Sequence, residues 1–323
     1  MSEAQDWRPS ASRERLQLRA RLLARTREFF AARQVMEVDT PLLVNAPVSD
    51  PHIHSARVDA GGGRPLFVHT SPEYAMKRLL AAGAGDIYQI CHVARGFEQS
   101  RIHNCEFTLV EWYRLGFDLG HLMQEVDDLV RLLCAGHPAL AQPSRRIPYR
   151  EAFAAHTGVD PLDASLEELS ALAAPLGFRP SAPAARDELL DLLMGALIGP
   201  TLGHHAPLFI HGYPASQAAL ARLDPADPRT AQRFELYLGG VELANGFHEL
   251  AAPLEQRARF AADLRERERR ALPIHAPDER LLAALEAGLP DCSGVALGFD
   301  RVAMLAAAAT HIDEVLAFPT PRA

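Results

Sequence analysis

Three separate stretches of this sequence concentrate residues that could hold phosphates, a divalent metal and ammonium groups. The first runs from Ala94 to Tyr113 and carries Arg95, Glu98, Arg101, His103, Asn104, Glu106 and Glu111. The second holds Glu235, Glu242, Leu243, Asn245, Phe247 and Glu249, and the third holds Gly294, Ala296, Gly298, Asp300 and Arg301. Arginine's planar, permanently charged fork grips phosphate oxygens in pairs. Arg95 and Arg301 are therefore candidates to bind phosphates and to stabilise charge at an attacked α-phosphate. Either one, taken singly, also reads as a surface or salt-bridging residue.

The acids divide into two groups. In Glu235-Leu-Tyr-Leu-Gly-Gly-Val-Glu242 the glycines suit a hairpin turn that would bring the two glutamates together on adjacent strands. Facing like charges need neutralising, and a magnesium ion that takes its other ligands from nucleotide phosphates would do so. Two solvated glutamates on an exposed hairpin are the plain alternative. Glu73, Glu111 and Glu249 have no obvious partner. Glu111 interrupts the apolar run Thr108-Leu-Val-Glu-Trp-Tyr113, where an unpaired charge is costly. Either a cationic ligand or Arg114 could compensate it. Phosphate, metal and ammonium ligands together suit ATP-driven activation of a diamino acid.

These residues must be positioned by a mixed set of elements. Helical spacing marks Leu16 to Arg33, Glu73 to Ala82, Leu119 to Leu133 and Leu254 to Arg270. Short strands are expected at Val35 to Pro41, Leu66 to Thr70, Asp86 to Val93 and Glu106 to Tyr113, with a strand and helix from Gly294 to Ala309. Gly61-Gly-Gly63 lacks the Gly-Lys-Ser/Thr ending of a phosphate-cradling loop and reads as a turn between strands. Residues of about 139–205 are rich in Ala, Leu and Pro and read as a helical insertion. Strand blocks interrupted by grouped helices predict an α+β fold with a mostly antiparallel sheet. The chain of 323 residues reads as a single catalytic domain.

Composition narrows the function classes. With 48% hydrophobic and 23% charged residues the chain is an ordinary core-former. A net charge of −8 argues against broad nucleic-acid binding. No apolar run is long enough to span a membrane, and the polar N-terminus lacks the core of a secretory signal. Cys91, Cys105, Cys134 and Cys292 lack metal-site spacing and read as free thiols of a reducing cytoplasm.

Several of these motifs, in order, resemble those of class II aminoacyl-tRNA synthetases. Arg95 to Thr108 is similar to motif 2, Gly294 to Arg301 to motif 3, and Val35 to Pro41 to motif 1 with its dimer-interface proline. Thr70-Ser-Pro-Glu73 and Glu242-Leu-Ala-Asn-Gly-Phe-His-Glu249 resemble the lysyl-tRNA synthetase branch, and within it the truncated paralogues that attach (R)-β-lysine to translation elongation factor P. The resemblance implies the class II catalytic fold, no anticodon-binding domain and no tRNA, a homodimer, ATP as substrate and Mg2+ on Glu235 and Glu242. It further implies that Arg95, Asn104, Leu243, Gly298 and Arg301 bind ATP. Glu73 would meet the amino group nearest the reacting carboxylate, and Ser71, Pro72 and Ala296 would also line the substrate site. Glu111, Tyr113 and Glu249 would meet the distal ammonium, with Asn245 and Phe247 shaping the pocket.

Ser71 and Ala296 stand where lysyl-tRNA synthetases usually have alanine and glycine, and would remodel the α-amino end for a β-amino acid. Motif 2 departs from its pattern at Ala94, Phe97, Ser100 and Cys105. Glu98 would replace the adenine-reading acid that Phe97 displaces. A minimal synthetase acting on tRNA and a non-catalytic regulatory paralogue are the alternative readings.

Overall fold

The computed structural model describes residues 7–61, 63–96, 99–177 and 185–323. In chain order, the strands among them are β1 (Met36–Glu37), β2 (Leu43–Val44), β3 (Arg57–Val58), β4 (Leu66–Val68), β5 (Ile87–Ala94), β6 (Glu106–Leu115), β7 (Arg145–Pro148), β8 (Leu208–Pro214), β9 (Thr230–Leu238), β10 (Val241–His248) and β11 (Cys292–Gly298). The α-helices are α1 (Arg13–Ala31), α2 (Glu73–Ala81), α3 (Leu119–Leu133), α4 (Tyr149–Thr157), α5 (Leu166–Ala173), α6 (Arg186–Leu193), α7 (Pro253–Arg269), α8 (Glu279–Gly288) and α9 (Phe299–Ala306).

Among the described residues one large sheet runs β1-β5-β6-β11-β10-β9-β8-β7, and a small one runs β2-β4-β3. In the large sheet only the outermost pairs, β1 with β5 and β7 with β8, are parallel. The antiparallel pairs between them bear out the expected α+β architecture.

Strand alternation sends successive side chains to opposite faces, and here it separates packing from chemistry. On one face Tyr88, Val110, Trp112, Val295, Leu297, Phe234 and Leu236 form a continuous core with residues of α1, α3 and α9. Phe30 of α1 stacks on Tyr88 with ring centres 4.3 Å apart. Trp112 is fully buried and donates its indole N–H to Glu125 of α3 at 3.0 Å. Asp118 caps α3 by accepting the His121 N–H at 2.8 Å.

Among the described residues, the opposite face is covered chiefly at its flanks. On one flank Met76, Leu80, Phe260, Leu281, Leu282 and Leu285, from α2, α7 and α8, pack with Ile87, Tyr113 and Cys292. On the other, Tyr149, Phe153, Leu169, Leu189, Leu190 and Leu193, from α4 to α6, pack with Leu208, Ile210, Tyr213 and Tyr237. Between these two clusters lie Glu111, Ala296, Asn245 and Glu235, neighbours across successive strands.

The expected helices and strands occur with shifted ends. Motif 1 contributes only the two residues of β1. The stretch of about 139–205 is not wholly helical: it includes β7, which adds to the sheet edge because its backbone pairs with β8. Gly61 and Gly63 both have positive φ in the connection between β3 and β4. No helix among the described residues is long and apolar enough to cross a membrane.

Candidate active site

The open strip of the sheet floors a cleft of about 550 Å3, walled by α2, α6, α7 and the segment 48–53. Ser71, Glu73, Arg95, Glu111, Tyr113, Asn245, Phe247, Glu249 and Ala296 all line it. Sequence stretches as far apart as Ser71 and Ala296 are thus brought to one surface.

The acid end is built around Glu111, which is 2% exposed. Its carboxylate accepts hydrogen bonds from Ser71 Oγ at 2.7 Å and from the Tyr113 hydroxyl at 2.8 Å. Arg114 is not its partner. It points to the helix-packed face, where it pairs with Asp86 at 2.9 Å and Glu125 at 3.4 Å. Burial, then the neighbouring Glu73 charge, pushes the Glu111 carboxyl up to about 8 against the effect of those two hydrogen bonds. Ser71 Oγ also accepts the Glu73 N–H at 3.0 Å, so one hydroxyl ties the start of α2 to the Glu111 carboxylate. Pro72, buried, occupies the N-cap position of that helix, and Glu73 opens its first turn, where the dipole favours an anion.

Glu249 is 1% exposed, and burial, partly countered by Lys77, raises its carboxyl to about 7. Gly294 makes room for this acid: a Cβ there would lie 2.3 Å from the Tyr113 ring and 2.7 Å from Glu249 Oε1.

The phosphate-suited end follows along the same face. Gly239 and Gly240, both at positive φ, turn β9 into β10. Tyr237 pairs with Glu242 and Glu235 with Asn245, with a bulge between Glu242 and Ala244. Leu243 is the extra residue, and its side chain is buried in the helix-packed core. The bulge leaves Glu235 and Glu242 on one face, as the hairpin reading expects. Burial, then the Glu235 charge, raises the Glu242 carboxyl, while Arg301, Arg233 and Arg95 act the other way.

Arg301 donates to the Glu242 carbonyl at 2.8 Å and to His103 Nε2 at 2.6 Å. His103 must then carry its proton on Nδ1, which donates to Ser100 Oγ at 2.7 Å. Burial, then the charges of Arg301 and Arg95, pushes His103 down to about 4, so it stays a neutral acceptor. Arg95 donates to the Thr70 carbonyl at 3.3 Å and lies over the Phe107 ring. Gly298 precedes α9, where a Cβ would meet Arg301 only at ordinary contact distance.

The chemistry of the Glu235–Glu242 pair fits Mg2+. Two carboxylates with arginines alongside suit an ion that completes its shell with phosphates and water. Among the described residues no group of three or more His, Cys, Asp or Glu side chains could hold a metal by itself. Glu235 is oriented by its partners, Arg233 and the Tyr237 hydroxyl, the latter at 2.7 Å.

Pro72, Glu235, Glu242, Leu243, Gly298 and Arg301 are not among the residues lining the cleft, and neither is Asn104. Its amide donates to the Glu106 carbonyl at 2.6 Å and accepts the Thr320 N–H at 3.0 Å. It ties the motif 2 segment to the C-terminal residues and does not line the cleft. Glu98 and Phe97 lie outside the described residues.

Two sets of site residues carry no signal in the sequence. Lys77, one helical turn after Glu73, is 1% exposed, with its ammonium 2.8 Å from Glu73 and 2.6 Å from Glu249. Arg233 donates to Asn245 at 3.1 Å and to the Gln217 carbonyl at 2.7 Å, besides holding Glu235. Gln217 in turn donates to Asp191 of α6 at 2.7 Å, so the insertion reaches the cleft wall.

The family model described as tRNA synthetases class II (D, K and N) matches residues 2–322. A Vibrio cholerae protein named elongation factor P–(R)-β-lysine ligase is 50% identical, with 98% of this chain and 99% of that protein covered. Proteins of the same name from Vibrio parahaemolyticus and Klebsiella pneumoniae are 50% and 47% identical, covering 98% and 100% of both chains. With nearly its whole length matched, and with the antiparallel sheet and motif placement described above, the chain belongs to the class II tRNA synthetase family.

Proposed function

We propose that this protein is an ATP-dependent ligase that activates (R)-β-lysine as an aminoacyl-adenylate and transfers it to the ε-amino group of a lysine on translation elongation factor P. The observation that carries this reading is the cage of Glu73, Glu111 and Glu249 beside Arg95 in one cleft, a set that suits two ammonium groups and a carboxylate near a phosphate. The shared name of full-length relatives supports the same assignment over a tRNA-charging enzyme or a non-catalytic paralogue.

In the first step a carboxylate oxygen of the amino acid attacks the α-phosphorus of ATP, and the bond to pyrophosphate breaks. Arg95 stabilises the charge at the α-phosphate and Arg301 holds the terminal phosphates, both pre-positioned by hydrogen bonds to backbone carbonyls. Mg2+ on Glu235 and Glu242 would supply charge neutralisation between the phosphates. Glu73 orients the amino group nearest the reacting carboxylate, and Glu111, Tyr113 and Glu249 hold the distal ammonium. In the second step the acceptor amine attacks the activated carbonyl, loses a proton and expels AMP. Leu243 and Gly298 act through their backbone near the nucleotide, and Asn104 acts by fixing the motif 2 segment. The protein is proposed to work in the cytoplasm as a homodimer joined through motif 1, around which Met36, Leu42 and Leu43 are exposed.

The test is amino-acid-dependent ATP–pyrophosphate exchange, followed by transfer of labelled (R)-β-lysine to elongation factor P or to tRNA. Exchange favouring (R)-β-lysine over L-α-lysine, with label on elongation factor P alone, is expected. Label on tRNA would favour the synthetase reading, and no exchange would favour the non-catalytic one.

A further inference from the structure

Among the described residues, Lys77 is a cation, not used by the proposed function, that is held directly between acids of the cage. Its ammonium is 2.8 Å from Glu73 and 2.6 Å from Glu249, and its side chain is 1% exposed. Glu111 and Tyr113 face the same cage from β6. Cys292 lies on the β11 side, and the Arg222 guanidinium acts on Glu249 from behind. A buried ammonium this close to two carboxylates cannot discharge to neutral lysine. Burial pulls its pKa down, but the charges of Glu249 and Glu73 outweigh that and hold it above its ordinary value.

The charge count then decides what the cage can hold. Once a bound diamino acid has drawn the proton from Glu111, three ionised carboxylates and one ammonium leave two negative charges, which is what its two ammonium groups require. Without Lys77 the ligand-free cage would hold a further proton to relieve the repulsion, and binding would have to expel it. Lys77 also fixes where the acids point, because it joins α2, which carries Glu73, to Glu249 at the end of β10. Its place one turn after Glu73 on the same helix puts those two within reach of each other, and the packing of α2 on the sheet brings Glu249 to the same ammonium.

We infer that Lys77 is a positioning residue that sets the net charge of the amine cage to match a doubly charged substrate, acting on Glu73 and Glu249 without touching the substrate. The inference rests on the diamino-acid reading above. It deepens that reading by assigning a specificity role to a residue outside the ligand set.

The experiment compares the wild-type protein with Lys77→Met, which keeps the stem and removes the charge. Pyrophosphate exchange is measured with (R)-β-lysine and with 3-aminohexanoate, which lacks the distal ammonium. Proton release on binding is measured by calorimetry in buffers of different ionisation enthalpy. Lys77→Met should raise KM for (R)-β-lysine about tenfold or more and narrow its advantage over the monoamine. KM for ATP should change little. Proton release near neutral pH should rise from about one in the wild type to about two in the variant. A lysine that merely filled space would leave proton release and the diamine preference unchanged, and that result overturns the inference.

Should the variant not fold, the wild-type proton count alone decides, because release of two or more protons there shows that Lys77 does not keep its partners ionised. Absence of any (R)-β-lysine exchange by the wild type would overturn the substrate reading and this inference together. Normal wild-type exchange matched by Lys77→Met would overturn this inference alone.

Discussion

At the scale of single residues the site is a set of carboxylates kept costly until a ligand arrives. Glu111 has a folded-state value of about 8, far above its ordinary value near 4.5, so the folded protein holds a proton that the unfolded chain gives up. Its contribution to stability is therefore fully present below about pH 4.5 and lost as pH rises to about 8. Glu249, raised to about 7, acts in the same direction. Thermal melts of the ligand-free protein should fall between pH 5.5 and 8.5, whereas (R)-β-lysine binding should tighten over that interval as Glu111 ionises. Glu111→Gln should flatten the pH dependence of the melt and weaken exchange about 10- to 100-fold, the loss of a charge-assisted contact worth about 1.5–3 kcal/mol. A melt curve in the variant as steep as in the wild type would place the titrating group elsewhere. Gly294→Ala should cost about 1–3 kcal/mol of stability or pocket fit. Its methyl would be driven into the Tyr113 ring and Glu249. KM for the amino acid should rise more than KM for ATP, which paired exchange assays would read.

At the scale of elements, the insertion does more than support the core. Leu190 of α6 is fully buried, and the same helix presents Asp187 and Asp191 to the cleft. Leu190→Ala should destabilise the protein by about 2–5 kcal/mol and raise the amino-acid KM at temperatures below the melt. Denaturation followed by exchange kinetics would check both.

The sequence disclosed the helices α2 and α3 and the long strands, and of the charged residues lining the cleft it named Glu73, Arg95, Glu111 and Glu249, which sit in strongly patterned segments, but not Asp187, Asp191, Arg259 or Asp263. It did not disclose Lys77, which reads as an ordinary helical lysine until the fold packs it against Glu249. Nor did it disclose Arg233, whose partners Gln217 and Asn245 come from other segments. The bulge at Leu243 was equally hidden. Glu242 and Asn245 are separated by an odd number of positions, which strict alternation would send to opposite faces, and only the observed register puts them together.

At the scale of the molecule, Met36 of β1 and Leu42 and Leu43 at the start of the small sheet's edge strand are exposed apolar residues in or next to the motif 1 segment. Light scattering should find a dimer, and Leu43→Asp should shift it toward monomer, with wild-type behaviour in that variant arguing against pairing through this edge. The catalytic strip itself lies between two separate apolar clusters, one under α2, α7 and α8 and the other under α4 to α6. The larger core on the far side of the sheet depends on neither. The proposed active centre is therefore a seam, and seams open first: loosening the flank under α2 carries Glu73 away from Glu111 and Glu249 while the sheet and its backing helices stay folded. Warming should thus silence the protein before it melts, and a bound diamino acid, touching both α2 and the sheet, would act as a stitch.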